Sequence, residues 1–222
     1  MHTRICPSIL NADRSNLPHE IERIEGAADW LHLDIMDGKF VPATTFEFEE
    51  SIRLIAGTSL PVDTHLMIAN PDEMAKEYAV VGSRSVTFHL EASTNPISTL
   101  KSIRSAGARS AIGIKPATPV ELLFDLVDYA DMFLVMTVEP GAGGQKYMSD
   151  MAPKVRALRD LISTKRLQTW IQVDGGITLE TIGHAASAGA DSFVAGSAVY
   201  KASDPAAMIR ELRDLADISL KK

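Results

Sequence analysis

Two short apolar runs of the chain carry side chains that could bind a metal ion. Residues 31–36 contain His32 and Asp34 two positions apart, and residues 62–67 contain His65. Successive side chains of a β-strand point to opposite faces, so His32 and Asp34 should share one face of their strand. Two imidazoles and a carboxylate are suitable ligands for a first-row divalent metal ion.

Asp174 is a fourth candidate ligand, because it follows directly after the apolar run 170–173. Together with His32, Asp34 and His65 it gives a set of two imidazoles and two carboxylates. Zn²⁺ suits this set best, and Fe²⁺, Mn²⁺ and Co²⁺ remain alternatives. The set contains no thiolate, which argues against a purely structural zinc site. A metal ion beside two carboxylates is typical of proton-transfer chemistry.

Each of these residues taken alone has a simpler interpretation. A single histidine in an apolar strand is usually a core residue, and a single aspartate after a strand usually forms a turn. Four such residues at the same end of three strands are harder to explain in this way. Two buried carboxylates without a cation would also be costly.

Three glycine-rich segments follow the last three predicted strands. They span residues 139–145, 174–177 and 195–198. Glycine lets the backbone approach an anion closely, and in parallel α/β barrels the loops after strands seven and eight commonly bind phosphate. Tight turns alone would also require glycine, but three such loops on adjacent strands favour a phosphate site. The first is long enough to act as a closing lid.

Three methionines continue the face that carries the candidate ligands. Met36, Met67 and Met136 should lie at the mouth of the site, on strands two, three and six. They could form an apolar cover that excludes water from a charged intermediate. They could equally be ordinary core residues, since methionine commonly fills gaps in cores.

The elements that must position these residues follow a regular alternation of strand and helix. The spacing predicts strands centred near Ile5, Leu33, His65, Val86, Ile112, Leu134, Ile171 and Val194. It predicts helices over residues 17–25, 48–56, 71–81, 96–106, 120–130, 151–161, 179–188 and 205–215. Eight repeats predict an α/β fold of the (β/α)₈ TIM barrel type, with an open doubly wound sheet as the alternative. No flexible linker divides residues 1–222, so we expect a single domain.

Composition limits the classes of partner. The 222 residues have a net charge of −7, which argues against nucleic acid or an anionic membrane surface as a partner. No apolar run approaches the ~20 residues of a membrane span. Cys6 is the one cysteine, so we expect no internal disulfide and a reducing, cytoplasmic location. We expect Cys6 to be a core residue rather than a nucleophile.

Two further features lie at predicted strand ends. His89 and Glu91 follow strand four as His-x-Glu, and we expect them to support the site or the fold rather than to bind metal. Lys115 follows strand five and could form a Schiff base, as in lysine-dependent aldolases. The metal-ligand pattern argues against this alternative.

The chain resembles the ribulose-phosphate 3-epimerase family over essentially its whole length. The resemblance implies a (β/α)₈ barrel that interconverts D-ribulose 5-phosphate and D-xylulose 5-phosphate in the pentose phosphate pathway. It also implies a homo-oligomer. The segments that carry it span residues 7–10, 31–38, 40–42, 65–67, 135–141, 143–145, 173–177 and 195–198.

The resemblance also implies roles for individual residues. His32, Asp34, His65 and Asp174 would bind the divalent metal, and Asp34 and Asp174 would act as acid and base on opposite faces of C3. Ser8 and His65 would contact the substrate. The residues expected around the sugar and phosphate are Gly141, Gly143, Gly144, Gly175, Gly176, Gly196 and Ser197.

The chain departs from the usual family pattern on two loops. Lys39 replaces a histidine, Ala43 replaces an asparagine, the stretch 44–47 that ends in Glu47 lacks a common glycine, and Ala142 replaces an aromatic residue. None of these positions is a candidate ligand. They could change the preferred sugar or the turnover. The alternatives are therefore a 3-epimerase of a six-carbon ketose phosphate, such as D-allulose 6-phosphate, or a catalytically weak phosphosugar-binding paralogue.

Overall fold

The computed structural model describes residues 2–220 and contains eight parallel strands in one sheet. All eight predicted strands are present. Neighbouring strands pair in the order β1-β8-β7-β6-β5-β4-β3-β2. The strands are β1 (Arg4–Pro7), β2 (Leu31–Met36), β3 (Val62–Met67), β4 (Ser85–His89), β5 (Arg109–Ile114), β6 (Met132–Met136), β7 (Trp170–Asp174) and β8 (Ser192–Ala195).

Helices alternate with these strands, as a (β/α)₈ barrel requires. They are α1 (Leu17–Glu22), α2 (Phe48–Ala56), α3 (Pro71–Val80), α4 (Pro96–Ser105), α5 (Ala152–Thr164), α6 (Ile182–Ser187), α7 (Ser197–Tyr200) and α8 (Pro205–Leu220). The short helix α7 was not predicted, because Ala195 to Ser197 suggested only a loop. None of the described helices combines the length and the apolar character that crossing a membrane would need.

The predicted α-helix over residues 120–130 is wrong in type. The structure has a 3₁₀ helix at Val120–Leu126. Its buried residues Val120, Leu123 and Leu126 recur every third position. This period matches the three residues per turn of a 3₁₀ helix, so the tighter coil places all three on one buried face.

The sheet closes between β1 and β2 through contacts at the two ends of the seam. At one end Asp29 N donates to Ile5 O over 3.1 Å, and Ile5 N donates to Asp29 Oδ2 over 2.8 Å. At the other end Ser8 forms a parallel bridge with His32. The barrel is therefore closed at its carboxyl end by two residues that the sequence places in the candidate site.

Because side chains alternate along each strand, the barrel wall has an outward face and an inward face. One face of each strand points outward to the helices, where Leu33, Phe88 and Phe133 belong to the main apolar core with Leu100 of α4 and Leu158 of α5. The other face points into the barrel and is largely polar in its lower half. The buried polar residues there are Asp63, Ser85, Thr87, Gln172 and Ser192. The apolar core thus holds the barrel rigid from outside and leaves its interior for polar groups.

At the amino ends of the strands, a buried ion pair ties β7 and β8 to α5. Asp191 accepts hydrogen bonds from Ile171 N over 2.9 Å and from Arg159 Nη2 over 2.9 Å. Both side chains of the pair are largely inaccessible to solvent. Asp191 therefore satisfies a buried backbone amide and a buried guanidinium at once.

We predict that Asp191→Ala lowers the free energy of unfolding by about 3 kcal/mol, because it leaves a buried donor and a buried charge without an acceptor. Asp128→Ala is the matched control, since Asp128 pairs with Lys165 on the surface, and it should change stability little. Urea denaturation of both variants measures the difference. Equal losses would contradict the role given to Asp191.

Candidate active site

The structure brings the four predicted ligands together at the carboxyl end of the barrel. His32 and Asp34 lie on β2, His65 on β3 and Asp174 at the end of β7. One donor atom from each lies within 4.8 Å of the donor atoms of the other three. The register explains this, because Asp34 is directly opposite His65 on the neighbouring strand. The site is thus assembled by the strands themselves.

Asp34 is the centre of the cluster. Its Oδ1 lies 3.1 Å from His65 Nδ1 and 3.4 Å from His32 Nε2. Its Oδ2 accepts a hydrogen bond of 2.6 Å from Ser8 Oγ. Asp174 Oδ2 lies 3.6 Å from His65 Nδ1. Both carboxylates therefore face the same imidazole nitrogen.

His32 has one nitrogen that is satisfied and one that is not. Its Nδ1 lies 2.9 Å from Asp63 Oδ2, which also accepts a hydrogen bond of 2.8 Å from Gln172 Nε2. Its Nε2 is buried, faces the cluster and has no hydrogen-bond partner. The carboxylate behind Nδ1 leaves the lone pair on Nε2, which is the arrangement of a metal-binding histidine.

Asp63 and Gln172 are functional candidates that sequence reasoning missed. Both lie in sequences typical of ordinary strands, and a single Asp or Gln in such a sequence does not by itself indicate a functional site. The available signal was the alternation: Asp63 precedes His65 by two positions, and Gln172 precedes Asp174 by two. Each therefore lies on the inward face, one layer below a candidate ligand.

The two carboxylates of the cluster have their proton affinities shifted in opposite directions. Burial alone would raise the pKa of Asp34, but the imidazoles of His32 and His65 beside it outweigh burial and hold that pKa well below its usual range. Burial and the negative charge of Asp34 raise the pKa of Asp174 to about 6. Two carboxyl groups with separated proton affinities are suited to opposite acid and base roles.

The donor set fits a divalent cation. The buried carboxylate of Asp34 and the largely buried one of Asp174 lie beside two imidazoles, and His32 Nε2 is a buried nitrogen without a partner. A cation bound among these four groups would compensate the carboxylates and use that lone pair. The residues present can therefore hold one metal ion.

A cavity beside the cluster is lined by the predicted glycine loops. It contacts Asp34, Asp174 and Ser8 on one side. The glycine-rich residues that line it are Gly141, Gly143, Gly144, Gly175, Gly176, Gly196 and Ser197. Gly176 has a φ of +67°, and a Cβ there would collide with the backbone nitrogen of Tyr147. The close approach requires glycine at this position.

Asn11 is a further lining residue that the sequence did not single out. Its side chain packs so closely on Gly143 and Gly196 that a Cβ at either position would overlap it. The loop that contains Gly143 is also held by Gln145, whose Nε2 donates to the carbonyl oxygens of Glu139 and Ala142 over 2.7 and 2.8 Å. Side-chain contacts thus hold the loop over the cavity.

Two threonines fix the backbone that presents the carboxylates. Thr45 Oγ1 donates to Asp34 O over 2.7 Å. Thr137 Oγ1 donates to the carbonyl oxygens of Asp174 and Gly175 over 2.9 and 2.7 Å. Thr45 lies in a stretch where the chain departs from the usual family pattern, so that stretch supports the site without entering it.

The remaining candidates lie at different distances from the cavity. Met67 and Met136 line it, and Met36 packs with Met67 and Val41 in a small buried cluster beside it. Lys115 is not among the lining residues, and its Nζ lies 3.8 Å from the centre of the Phe40 ring. The geometry therefore gives no support to a Schiff base at Lys115.

His89 and Glu91 lie behind His65. His89 Nε2 is 2.9 Å from His65 Nε2, and His89 Nδ1 is 3.3 Å from Glu91 Oε2. Burial is the main cause that lowers the pKa of His89 to about 4. The expectation that these residues support the site is consistent with this arrangement.

Residues 4–200 match the sequence model of the ribulose-phosphate 3 epimerase family. A ribulose-phosphate 3-epimerase of Mycobacterium bovis is 49% identical over 209 residues, which cover 94% of this chain and 91% of the relative. A protein of Oryza sativa named ribulose-phosphate 3-epimerase, cytoplasmic isoform, is 43% identical over 224 residues, which cover 99% and 96%.

Solved structures show the same fold at low sequence identity. The 3-hexulose-6-phosphate synthase of Salmonella typhimurium superposes with a TM-score of 0.71 at 18% identity, over 97% of this chain and 99% of that one. This likeness concerns the fold alone. The family match and the identity to its members show that the chain is an enzyme that belongs to the ribulose-phosphate 3-epimerase family.

Proposed function

We propose that the enzyme interconverts D-ribulose 5-phosphate and D-xylulose 5-phosphate by inverting C3, with Asp34 and Asp174 as the two acid/base residues. The observation that carries the proposal is the pair of carboxylates, which share one cluster with two imidazoles and line the same cavity. Epimerisation needs two such groups, because one removes a proton from one face and the other delivers a proton to the opposite face.

The reaction creates negative charge that the site must stabilise. Removing the C3 proton beside the C2 ketone gives an enediolate. A divalent metal ion held by His32, Asp34, His65 and Asp174 supplies electrostatic stabilisation of the developing oxyanion, and Zn²⁺ suits this donor set best. Ser8 donates to Asp34 Oδ2 and so fixes the orientation of one acid/base residue.

The rest of the cavity holds the substrate. Backbone amides of Gly175, Gly176, Gly196 and Ser197 bind the phosphate, and the loop that contains Gly143 covers the sugar. Met67 and Met136 present apolar surface to the cavity and limit the entry of water while the enediolate exists. Met36 supports Met67 from behind.

Membership of the family supports three wider proposals. The reaction belongs to the pentose phosphate pathway, the ligand is a small sugar phosphate, and the enzyme forms a homo-oligomer. The name of the rice relative supports a cytoplasmic location.

The five-carbon substrate is favoured over the six-carbon alternative by the location of the departures from the family pattern. Lys39, Ala43 and Glu47 do not line the cavity, whereas Ala142 does. Three of the four changes therefore lie outside the cavity that we propose for the substrate. The loss of an aromatic side chain at position 142 alters the lid rather than the reacting centre.

The first test concerns the two carboxylates. We predict that Asp174→Asn lowers kcat by at least about 10³-fold, because it removes one acid/base group, while far-UV circular dichroism shows an unchanged fold. Asp125→Asn, at an exposed position, is the matched control and should keep full activity. In D₂O the unchanged enzyme should place deuterium at C3 of both epimers. Full turnover without exchange would contradict the enediolate, and an active Asp174→Asn variant would contradict the role of Asp174.

The second test is removal of the metal ion. Protein dialysed against a strong chelator should lose activity, and its Tm should fall by about 5–10 °C, because a ligand at 100 times its Kd stabilises by about 2.7 kcal/mol. Adding Zn²⁺ back should restore both. Differential scanning calorimetry and elemental analysis on the same samples make the comparison. An unchanged Tm and full activity in metal-free protein would contradict the metal site.

The third test compares substrates. We predict that kcat/KM for ribulose 5-phosphate exceeds that for allulose 6-phosphate by at least about tenfold, a difference of about 1.4 kcal/mol in transition-state binding. Lys39→His should leave the ratio unchanged, because Lys39 does not line the cavity. A coupled assay with both sugars measures it. The reverse preference would favour the six-carbon alternative, and tight binding without turnover would favour a weak paralogue.

A further inference from the structure

A row of three side chains, the first two of them buried, leads away from the cluster through His65. His65 Nε2 lies 2.9 Å from His89 Nε2, and His89 Nδ1 lies 3.3 Å from Glu91 Oε2. His65 and His89 are completely buried. Solvent therefore cannot replace the contact between the two imidazoles.

The hydrogen-bond donors and acceptors in this row can be assigned by starting from Glu91. Glu91 Oε1 accepts hydrogen bonds from Lys115 N over 2.7 Å and from Thr118 Oγ1, and Oε2 faces His89. Glu91 therefore acts as an acceptor at both oxygens, and His89 Nδ1 must be the donor between them. A neutral imidazole has one N–H, so His89 Nε2 is an acceptor.

This assignment determines the hydrogen on His65. Because His89 Nε2 accepts, His65 Nε2 must donate, and the lone pair of His65 is left on Nδ1. That nitrogen faces Asp34 Oδ1 at 3.1 Å and Asp174 Oδ2 at 3.6 Å. The lone pair is thus directed at the site where the metal ion would bind.

Contacts with neighbouring residues also restrain His89 and Glu91. The Phe40 ring lies 4.9 Å from the His89 ring at an angle of 39°, and Lys115 Nζ lies 3.8 Å from the Phe40 ring centre. Glu91 is anchored to the loop after β5 by its contacts with Lys115 and Thr118. Neither His89 nor Glu91 is free to turn away from His65.

His32 is held by a shorter row of hydrogen-bonded side chains. Asp63 accepts directly from His32 Nδ1, and Gln172 in turn fixes Asp63. Each imidazole of the cluster therefore has a carboxylate behind it, in direct contact for His32 and through an extra imidazole for His65. Carboxylates behind metal-binding histidines set ring orientation and raise metal affinity.

We propose that His89 and Glu91 are positioning residues that hold His65 in the tautomer and ring orientation needed for the metal ion. The inference rests on the proposed metal site. It assigns a use to the His-x-Glu pair at the end of β4, and it explains why a buried histidine lies directly behind His65.

Metal affinity tests the proposal without relying on activity. Stripped protein is titrated with Zn²⁺ against a chromophoric chelator. His89→Phe, which keeps a ring but offers no acceptor, should weaken Zn²⁺ binding by about 10–100-fold. His89→Gln, whose amide oxygen can accept from His65, should recover part of the loss. Thr118→Val, which removes one contact of Glu91 but leaves the row intact, should stay within about threefold of the unchanged protein.

Nitrogen-15 NMR of the histidines in Zn²⁺-loaded protein provides the second readout. We expect His65 to carry its hydrogen on Nε2, with Nδ1 unprotonated. Protonated Nδ1, or equal Zn²⁺ affinity of His89→Phe and the unchanged protein, would overturn the proposal and leave the metal site standing. Unchanged protein that binds no Zn²⁺ would overturn both. Circular dichroism of the stripped variants shows whether the fold is kept.

Discussion

Two carboxylates that lie side by side in the mouth of the barrel, one buried and one largely buried, are the constraint on which the rest of the structure depends. Asp34 and Asp174 both face His65 Nδ1, so each raises the cost of ionising the other. Two imidazoles and a hydroxyl group around Asp34 keep its carboxylate ionised, and the pKa of Asp174 is raised. In the proposed mechanism a divalent cation completes this compensation, and the two carboxylates act as one acid and one base.

The polar groups beneath the cluster follow from the same constraint. A buried imidazole can direct a lone pair at the cluster only if its other nitrogen has an acceptor, and Asp63 and the His89–Glu91 pair supply one each. The barrel can accommodate these groups because its apolar core lies outside the strands, between strands and helices. The parallel bridge between Ser8 and His32 closes the barrel at this level, so closure of the fold and assembly of the site depend on the same residues.

The strands and the four clustered residues could be predicted because both depend on a period of two. Alternation placed His32 and Asp34 on one face, and the parallel barrel placed His65 and Asp174 at the same end. Alternation also put Asp63 and Gln172 on the inward face, but their contacts with His32 and with each other arise across the barrel and could not be predicted from spacing. The contacts of Asn11 with Gly143 and Gly196 are of the same long-range kind. The segment 120–126 was assigned the wrong helix type, since apolar residues every third position fit both the α-helical and the 3₁₀ period over two turns.

The most direct measurement is X-ray diffraction at the zinc absorption edge from crystals of Zn²⁺-loaded protein. The account predicts one anomalous peak per chain at the carboxyl end of the barrel, with His32 Nε2, His65 Nδ1 and oxygens of Asp34 and Asp174 at about 2.0–2.2 Å. His89 Nε2 should remain in contact with His65 Nε2. A peak bound by other residues, or by the opposite nitrogen of either histidine, would contradict the account.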